Sequence, residues 1–236
     1  MRRKLQRISD SQVSKDLLLA SHDDFPACLR MTDCFASFNE PRRPWLDQDT
    51  VKAKFLKLSA AAHPDRIHSS TDTEKQAATD RYAVLNNAYK ILIEPKDRLL
   101  HLIELERGTK PIGIEGVPPE IIESFTSVGQ LCREVDGFIA ERARVISPLI
   151  KVQMFERGME WIEQLNHLAS KLEIHLSTLV AELVVMNDLW EKAPPLGDAD
   201  RAEALELDQL ERIYRNFSFV SKWIAQLRER ILCLSI

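Results

Sequence analysis

Along most of this chain apolar residues recur every three or four positions, the spacing of one face of an α-helix. Val51, Phe55, Leu58 and Ala62 form one stripe, with Asp47 placed as its cap. Ala77, Ala78, Tyr82, Leu85, Ala88, Tyr89 and Leu92 form a second, opened by Thr71 and Glu74 as a capping-box pair. Pro95 interrupts, and a further helix runs on to Gly108. Ahead of these, residues 32–38 read as a short helix with Thr32 as its cap and Phe35 and Phe38 turned inward.

The second half of the chain has the cleanest pattern. Phe155, Met159, Ile162, Leu165, Ala169, Leu172, Leu176, Leu179, Leu183, Met186 and Trp190 step by three and four. After the turn APPLGDAD, Leu207, Leu210, Ile213, Phe217, Val220, Ile224, Leu227, Ile231 and Leu234 resume the rhythm. Two such stripes joined by a Pro/Gly turn predict an antiparallel helical hairpin, each arm about 50 Å long at the standard rise. Gly158 is a candidate break in the first arm. Ser147-Pro148 reads as a cap followed by a proline at the first helical position. A weaker amphipathic helix, from Glu120 to about Val145, is expected to lie across the hairpin.

The expected architecture is all-α: an N-terminal helical hairpin, then a C-terminal three-helix bundle containing the long antiparallel hairpin. TKPIGIEGVPP, residues 109–119, is the natural linker, with three prolines and two glycines. It separates residues 32–108 from residues 120–236. Residues 1–31 lack a sustained apolar period and are expected to form a disordered extension.

Composition narrows the function. A net charge of −4 does not suit a binder of phosphate backbones, so no nucleic acid is expected. No apolar run has the length of a bilayer span, and the basic start MRRKLQR has no apolar core after it. Cys28, Cys34, Cys132 and Cys233 are scattered, without a CxxC pair, as in free thiols of a reducing compartment. A cytoplasmic protein without membrane contact is expected. Neither a glycine-rich phosphate loop nor a nucleophile elbow is present, so the expectation is a non-enzyme with no cofactor.

One short stretch calls for a chemical reading. AAAHPDRIHSS, residues 60–70, ends a helix on His63-Pro64-Asp65. Pro64 cannot continue the helix and pushes His63 out of helical geometry, so punctuation is one sufficient account. A metal site on His63, Asp65 and His68 is a second, weaker one, because no further ligand cluster lies at a suitable spacing. The third account rests on placement. The tripeptide joins two amphipathic helices, and the first carries Lys52, Lys54 and Lys57.

In this the chain resembles the J-domain co-chaperones, in which His-Pro-Asp connects two antiparallel helices with a basic face on the first. The resemblance implies a J-domain over residues 32–108. It also implies docking onto a DnaK- or HscA-type heat-shock ATPase and stimulation of its hydrolysis. The docking residues would be His63, Pro64, Asp65 and Arg66 with Lys52, Lys54 and Lys57. Many J-domains carry aromatic and basic residues just before the tripeptide; here Ala60, Ala61 and Ala62 stand there, which implies weaker or more selective docking.

LNNAYKILIEPKDRLLHLIELERG, residues 85–108, is similar to the HscB type, the co-chaperones of iron–sulfur cluster assembly. The elements are Asn86, Asn87, Ala88 and Tyr89, then Leu92, Pro95, Arg98 and the run from Leu99 to Leu105. DCFASFNEPRRPWLD, residues 33–47, is similar to that type's opening, and residues 212–231 to its last helix. The resemblance implies that the C-terminal domain holds an iron–sulfur scaffold protein of the IscU type. Its contact patch would lie on the domain's first helix, where Phe125, Val128 and Leu131 are the apolar positions. Gly129, Gln130 and Arg133 stand where the pattern favours a leucine and acidic residues. Plain core packing is an equally good reading of Phe125, Val128 and Leu131. A J-domain protein with an unrelated client, and a helical adaptor with a degenerate J-domain, remain as alternatives.

Overall fold

The computed structural model describes residues 33–62, 71–111 and 116–235. Residues 1–32, His63, Pro64, Asp65, Arg66 and His68 lie outside that set, as does the expected disordered extension. The described residues are all-α, with no strand among them. In chain order the helices are α1 (Cys34–Ser37), α2 (Gln48–Ala62), α3 (Asp72–Ile93), α4 (Pro95–Arg107), α5 (Ile122–Arg144), α6 (Pro148–Glu191), α7 (Arg201–Ala204) and α8 (Leu207–Ser235). A 3₁₀ turn, Pro119–Ile121, leads into α5. The chain forms two compact units that divide between Gly108 and Thr109.

In the first unit α2 and α3 run antiparallel. Gln48, at the start of α2, donates to the Ile93 carbonyl at the end of α3. One step further in, Phe55 stacks on Tyr89 with ring centroids 4.2 Å apart. Leu58 and Ala61 then share a groove with Ala78, Val84 and Leu85. The short α1 packs on α3, burying Cys34, Phe35 and Phe38. Its cap is Asp33 rather than Thr32: the Asp33 carboxylate accepts from the Phe35 and Ala36 amides at 3.0 and 3.2 Å. A carboxylate one residue further on satisfies two amides at once. Its second oxygen accepts from Arg42, which also reaches Glu106 on α4.

The turn between α3 and α4 is organised around a buried cation. Arg98 is 2 % exposed. It donates through Nε to the Pro44 carbonyl at 3.0 Å and through an η nitrogen to the Leu92 carbonyl. Burial pulls its pKa down to about 10, against the opposing pull of Glu94. The guanidinium stays charged at neutral pH and ties the loop before α2 to the end of α3. Nearby, His101 is fully buried and accepts the Cys34 amide on Nε2 at 3.1 Å. Gly108 closes α4 in the left-handed conformation, φ 71°, donating to the Glu104 carbonyl.

The second unit is a bundle of α5, α6 and α8. Glu182 and Glu173 of α6 pair with Arg212 and Arg228 of α8, in reversed order, so those two helices are antiparallel. Asn216, Arg230 and the Leu234 carbonyl of α8 meet Glu120, Asp136 and Arg142, so α5 runs parallel to α8. Their common core includes Val128, Val135, Phe138, Met154, Leu165, Leu172, Val220, Trp223 and Leu227.

Two expectations for this unit are corrected. Gly158 does not break the helix: α6 continues through it for 44 residues, about 66 Å at 1.5 Å per residue. A Cβ at Gly158 would sit 3.8 Å from the Phe138 ring, an ordinary van der Waals contact, so Gly158 lies where α5 packs on α6. Met154 and Gly158 face the core there, leaving Phe155 and Met159 exposed at 61 % and 51 %. Ser147 sits at the cap position before Pro148, but its hydroxyl makes no capping bond.

Two outcomes follow from this packing. Arg98→Leu strands the Pro44 and Leu92 carbonyls, and urea titration should show a loss of about 3 kcal/mol, at the upper end of the cost of orphaned buried polar groups; an unchanged midpoint would remove Arg98 from this role. Burial and the Asp33 charge push the Cys34 thiol up to about 12 from 9.0. Its thiolate fraction at pH 8 is therefore about a thousandfold lower than that of a free cysteine. Alkylation followed by mass spectrometry should mark exposed Cys233 and spare Cys34 and buried Cys132.

Candidate partner-docking surfaces

The α2–α3 hairpin holds both ends of the connection that carries His63-Pro64-Asp65. At the end of α2 remote from the connection, Asp47 fixes the start of that helix by accepting the Thr50 amide at 2.9 Å. Next to the connection, Thr71 and Glu74 form a reciprocal capping box: Thr71 donates its amide to Glu74 at 2.8 Å and its hydroxyl oxygen accepts the Glu74 amide at 3.3 Å. Two helices fixed along their length thus deliver the connection at one end of the hairpin. Between α2 and α3 lies a groove of about 570 Å³, lined by Leu58, Ala61, Ala78, Arg81, Val84 and Leu85.

The three lysines of α2 are not equivalent. Lys52 and Lys57 are exposed. Lys54 is drawn into an ion pair with Glu40, whose side chain is only 5 % exposed and which also meets Arg43. A near-buried carboxylate holds its cation more firmly than a solvated one, so Lys54 braces the loop before α2. By about 100° per residue, Lys52 and Lys57 stand roughly 140° apart around the helix. Ala53, Leu56 and Ala60 fill the exposed surface between them, with Leu56 58 % exposed. The positive face is thin, as the three alanines imply.

On the second unit, Phe125, Val128 and Leu131 separate. Val128 is 2 % exposed and belongs to the bundle core, so it has no surface to give a partner. One helical turn away from it, Phe125 is 49 % exposed, and Leu131 is half-buried at the core's edge. Phe125 does not stand alone. Its ring lies 6.0 Å from Trp223 of α8, which lies 5.7 Å from Phe219. The exposed edge of an aromatic cluster across α5 and α8 is thus the apolar feature of this face. Phe219 and Trp223 were not readable from the sequence as part of it, because nothing local links residues nearly a hundred positions apart. Leu131 also borders a polar groove between α5 and α6, with Glu134 and Glu163 on its walls.

Among the described residues, no group of three His, Cys, Asp or Glu side chains could hold a metal ion. The His63, Asp65 and His68 alternative lies outside them. No described helix is long and apolar enough to cross a membrane.

Comparison with known proteins gives a consistent picture. No family model matches the sequence. A co-chaperone protein HscB homolog of Mannheimia succiniciproducens is 35 % identical over 78 residues, 33 % of this chain and 45 % of that protein. The homolog of Azoarcus sp. is 32 % identical over 73 residues, 31 % of this chain and 41 % of that protein. The chain thus matches less than half the length of these curated relatives. The structure of chaperone HscB from Vibrio cholerae superposes with a TM-score of 0.54 at 18 % identity, covering 84 % of this chain and 96 % of that one. Human co-chaperone protein HscB superposes with a TM-score of 0.51 at 16 % identity, covering 87 % and 83 %. At these identities the structural likeness is one of fold. Over about a third of the chain in sequence, and over most of it in fold, the protein is thus similar to HscB co-chaperones.

Proposed function

We propose that this protein is a co-chaperone that docks on a DnaK- or HscA-type ATPase through His63, Pro64 and Asp65. It stimulates ATP hydrolysis there and delivers an iron–sulfur scaffold protein held on its C-terminal unit. The observation that carries the reading is the placement of the tripeptide on the connection of an antiparallel hairpin, in a chain similar to HscB co-chaperones. Arg66, Lys52 and Lys57 supply steering toward an acidic surface, and Lys54 supports the loop before α2. The reading is not enzymatic: the chemistry belongs to the partner ATPase, and no cofactor is called for. A cytoplasmic site of action fits the scattered thiols.

On the scaffold side, Phe125 and Leu131 are the proposed contact, with buried Trp223 behind Phe125, and Val128 is withdrawn to the core. A specific observation favours a different client. Gly129, Gln130 and Arg133 replace the leucine and acids of the HscB pattern, so this face lacks the pattern's charges.

His63→Gln should abolish stimulation of the partner's steady-state ATPase rate while the circular dichroism melt stays unchanged; full stimulation by that variant would sink the mechanism and leave a helical adaptor. Calorimetric titration with the organism's scaffold protein addresses the client. Phe125→Ala with Leu131→Ala should weaken binding by about 2 kcal/mol or more, the loss expected of a central apolar anchor. No binding by the parent chain, with ATPase stimulation intact, would transfer the reading to a different client.

A further inference from the structure

The strongest surface feature that this reading leaves unused is the N-terminal part of α6. Ile146, Leu149, Val152, Phe155 and Met159 are 88 %, 72 %, 58 %, 61 % and 51 % exposed. At about 100° per residue, Leu149, Val152, Phe155 and Met159 lie within an arc of about 120°. The core-facing Met154, Gly158 and Leu165 point about 140° away from the centre of that arc. The stripe is therefore a second apolar face on the same helix, turned outward. It ends where Glu163, Asn166 and Ser170 continue the same face with polar, exposed side chains. Scattered exposed apolar residues are ordinary, but consecutive turns of them on one face mark an interaction surface.

The charges beside the stripe say what fits it. Glu156, Glu160 and Glu163 are exposed on the Leu149 side of the face, Glu156 and Glu163 just inside its arc and Glu160 just outside, and none of the three makes an ion pair among the described residues. Glu156 and Glu160 are like charges four residues apart, an unfavourable pairing that a cation across the edge would relieve. His167 lies four residues beyond Glu163. On the opposite edge stands Lys151. Arg157 faces elsewhere, with its guanidinium over the Phe138 ring at 5.2 Å. A second copy docked antiparallel would lay acidic edge against acidic edge. An anionic lipid surface would meet the same three carboxylates.

We propose that this face of α6 is a docking site for a basic amphipathic helix of a protein partner. The partner helix seats apolar side chains on Leu149, Val152, Phe155 and Met159 and sets lysines or arginines against Glu156, Glu160 and Glu163. The site is separate from the α5–α8 aromatic patch and does not rest on the co-chaperone reading. It is the helix-in-groove mode of recognition, with apolar anchors at i, i+3 and i+7 and charge at one edge fixing orientation.

The test uses the full chain and two fluorescent helical peptides with the same leucine stripe, one flanked by lysines and one by glutamates. Anisotropy at near-physiological salt should show the lysine peptide bound at least about tenfold more tightly. Val152→Ser with Phe155→Ser should weaken it by about tenfold or more, whereas Val185→Ser, which removes an exposed apolar side chain elsewhere on α6, should not. Glu156→Lys with Glu160→Lys should reverse the peptide preference. All variants change exposed positions, and unchanged melting curves will show that they fold. Equal binding of both peptides, or full binding by the serine variant, would overturn the proposal. So would a dimer in sedimentation that the serine variant dissolves, which assigns the face to a second copy. Binding to phosphatidylcholine/phosphatidylglycerol vesicles that is lost in the serine variant would assign the face to lipid instead and would likewise overturn it.

Discussion

A guanidinium buried in a helical corner imposes a strict condition: its N–H groups must find acceptors there, or the fold loses more than the side chain contributes. Arg98 meets the condition with two backbone carbonyls from different segments, Pro44 and Leu92. The loop ahead of α2 and the end of α3 are thereby held at one point. Because α2 starts from that loop, the register of the α2–α3 hairpin is set at the corner remote from His63-Pro64-Asp65. The rest of the first unit closes around this anchor: Leu92 and Leu99 are fully buried beside it. His101, two residues after Leu99, takes the amide of Cys34 and so seats α1.

This places the family resemblance on a definite physical footing. Of the residues that carry it, Phe35, Phe38, Leu46, Asn87, Ala88, Leu92, Arg98 and Leu99 are buried, and Asn86, Tyr89 and Pro95 are partly so. They were legible in the sequence because cores constrain residue size, spacing and helix breaks. They specify the frame, however, and say little about what the frame presents. Lys52 and Lys57, by contrast, are exposed, so packing sets no condition on them. Similarity in the frame and a thin basic face are therefore compatible facts about one chain.

The sequence was most informative where contacts are local. Caps at Asp47, Thr71 and Gly108 and the stripes of α3 and α8 all depend on neighbours within a few positions, and each lies where the spacing put it. It was silent where contacts are remote. Lys54 reads as a free steering charge until Glu40, from an irregular loop, is seen to hold it. The start of α6 misled for a different reason. Steps of three and four fit any face of a helix, and Phe155 and Met159 extend the rhythm of Ile162 and Leu165 as well as Met154 and Gly158 do. A glycine does not look like a core residue in sequence. Gly158 is one here because a glycine stands where α6 faces the Phe138 ring, which a Cβ would meet at 3.8 Å.

That substitution has a consequence for the whole bundle. With Gly158 and Met154 turned inward, α5 comes close enough for Phe138 to enter the core and for Arg157 to lie over its ring. The larger apolar residues of the same turns are then forced outward, since one helix face cannot hold both sets. The packing of α5 on α6 and the exposed apolar stripe on α6 thus follow together from which face of α6 is turned to the core. The face that α6 offers to solvent is as much a product of core geometry as the core itself.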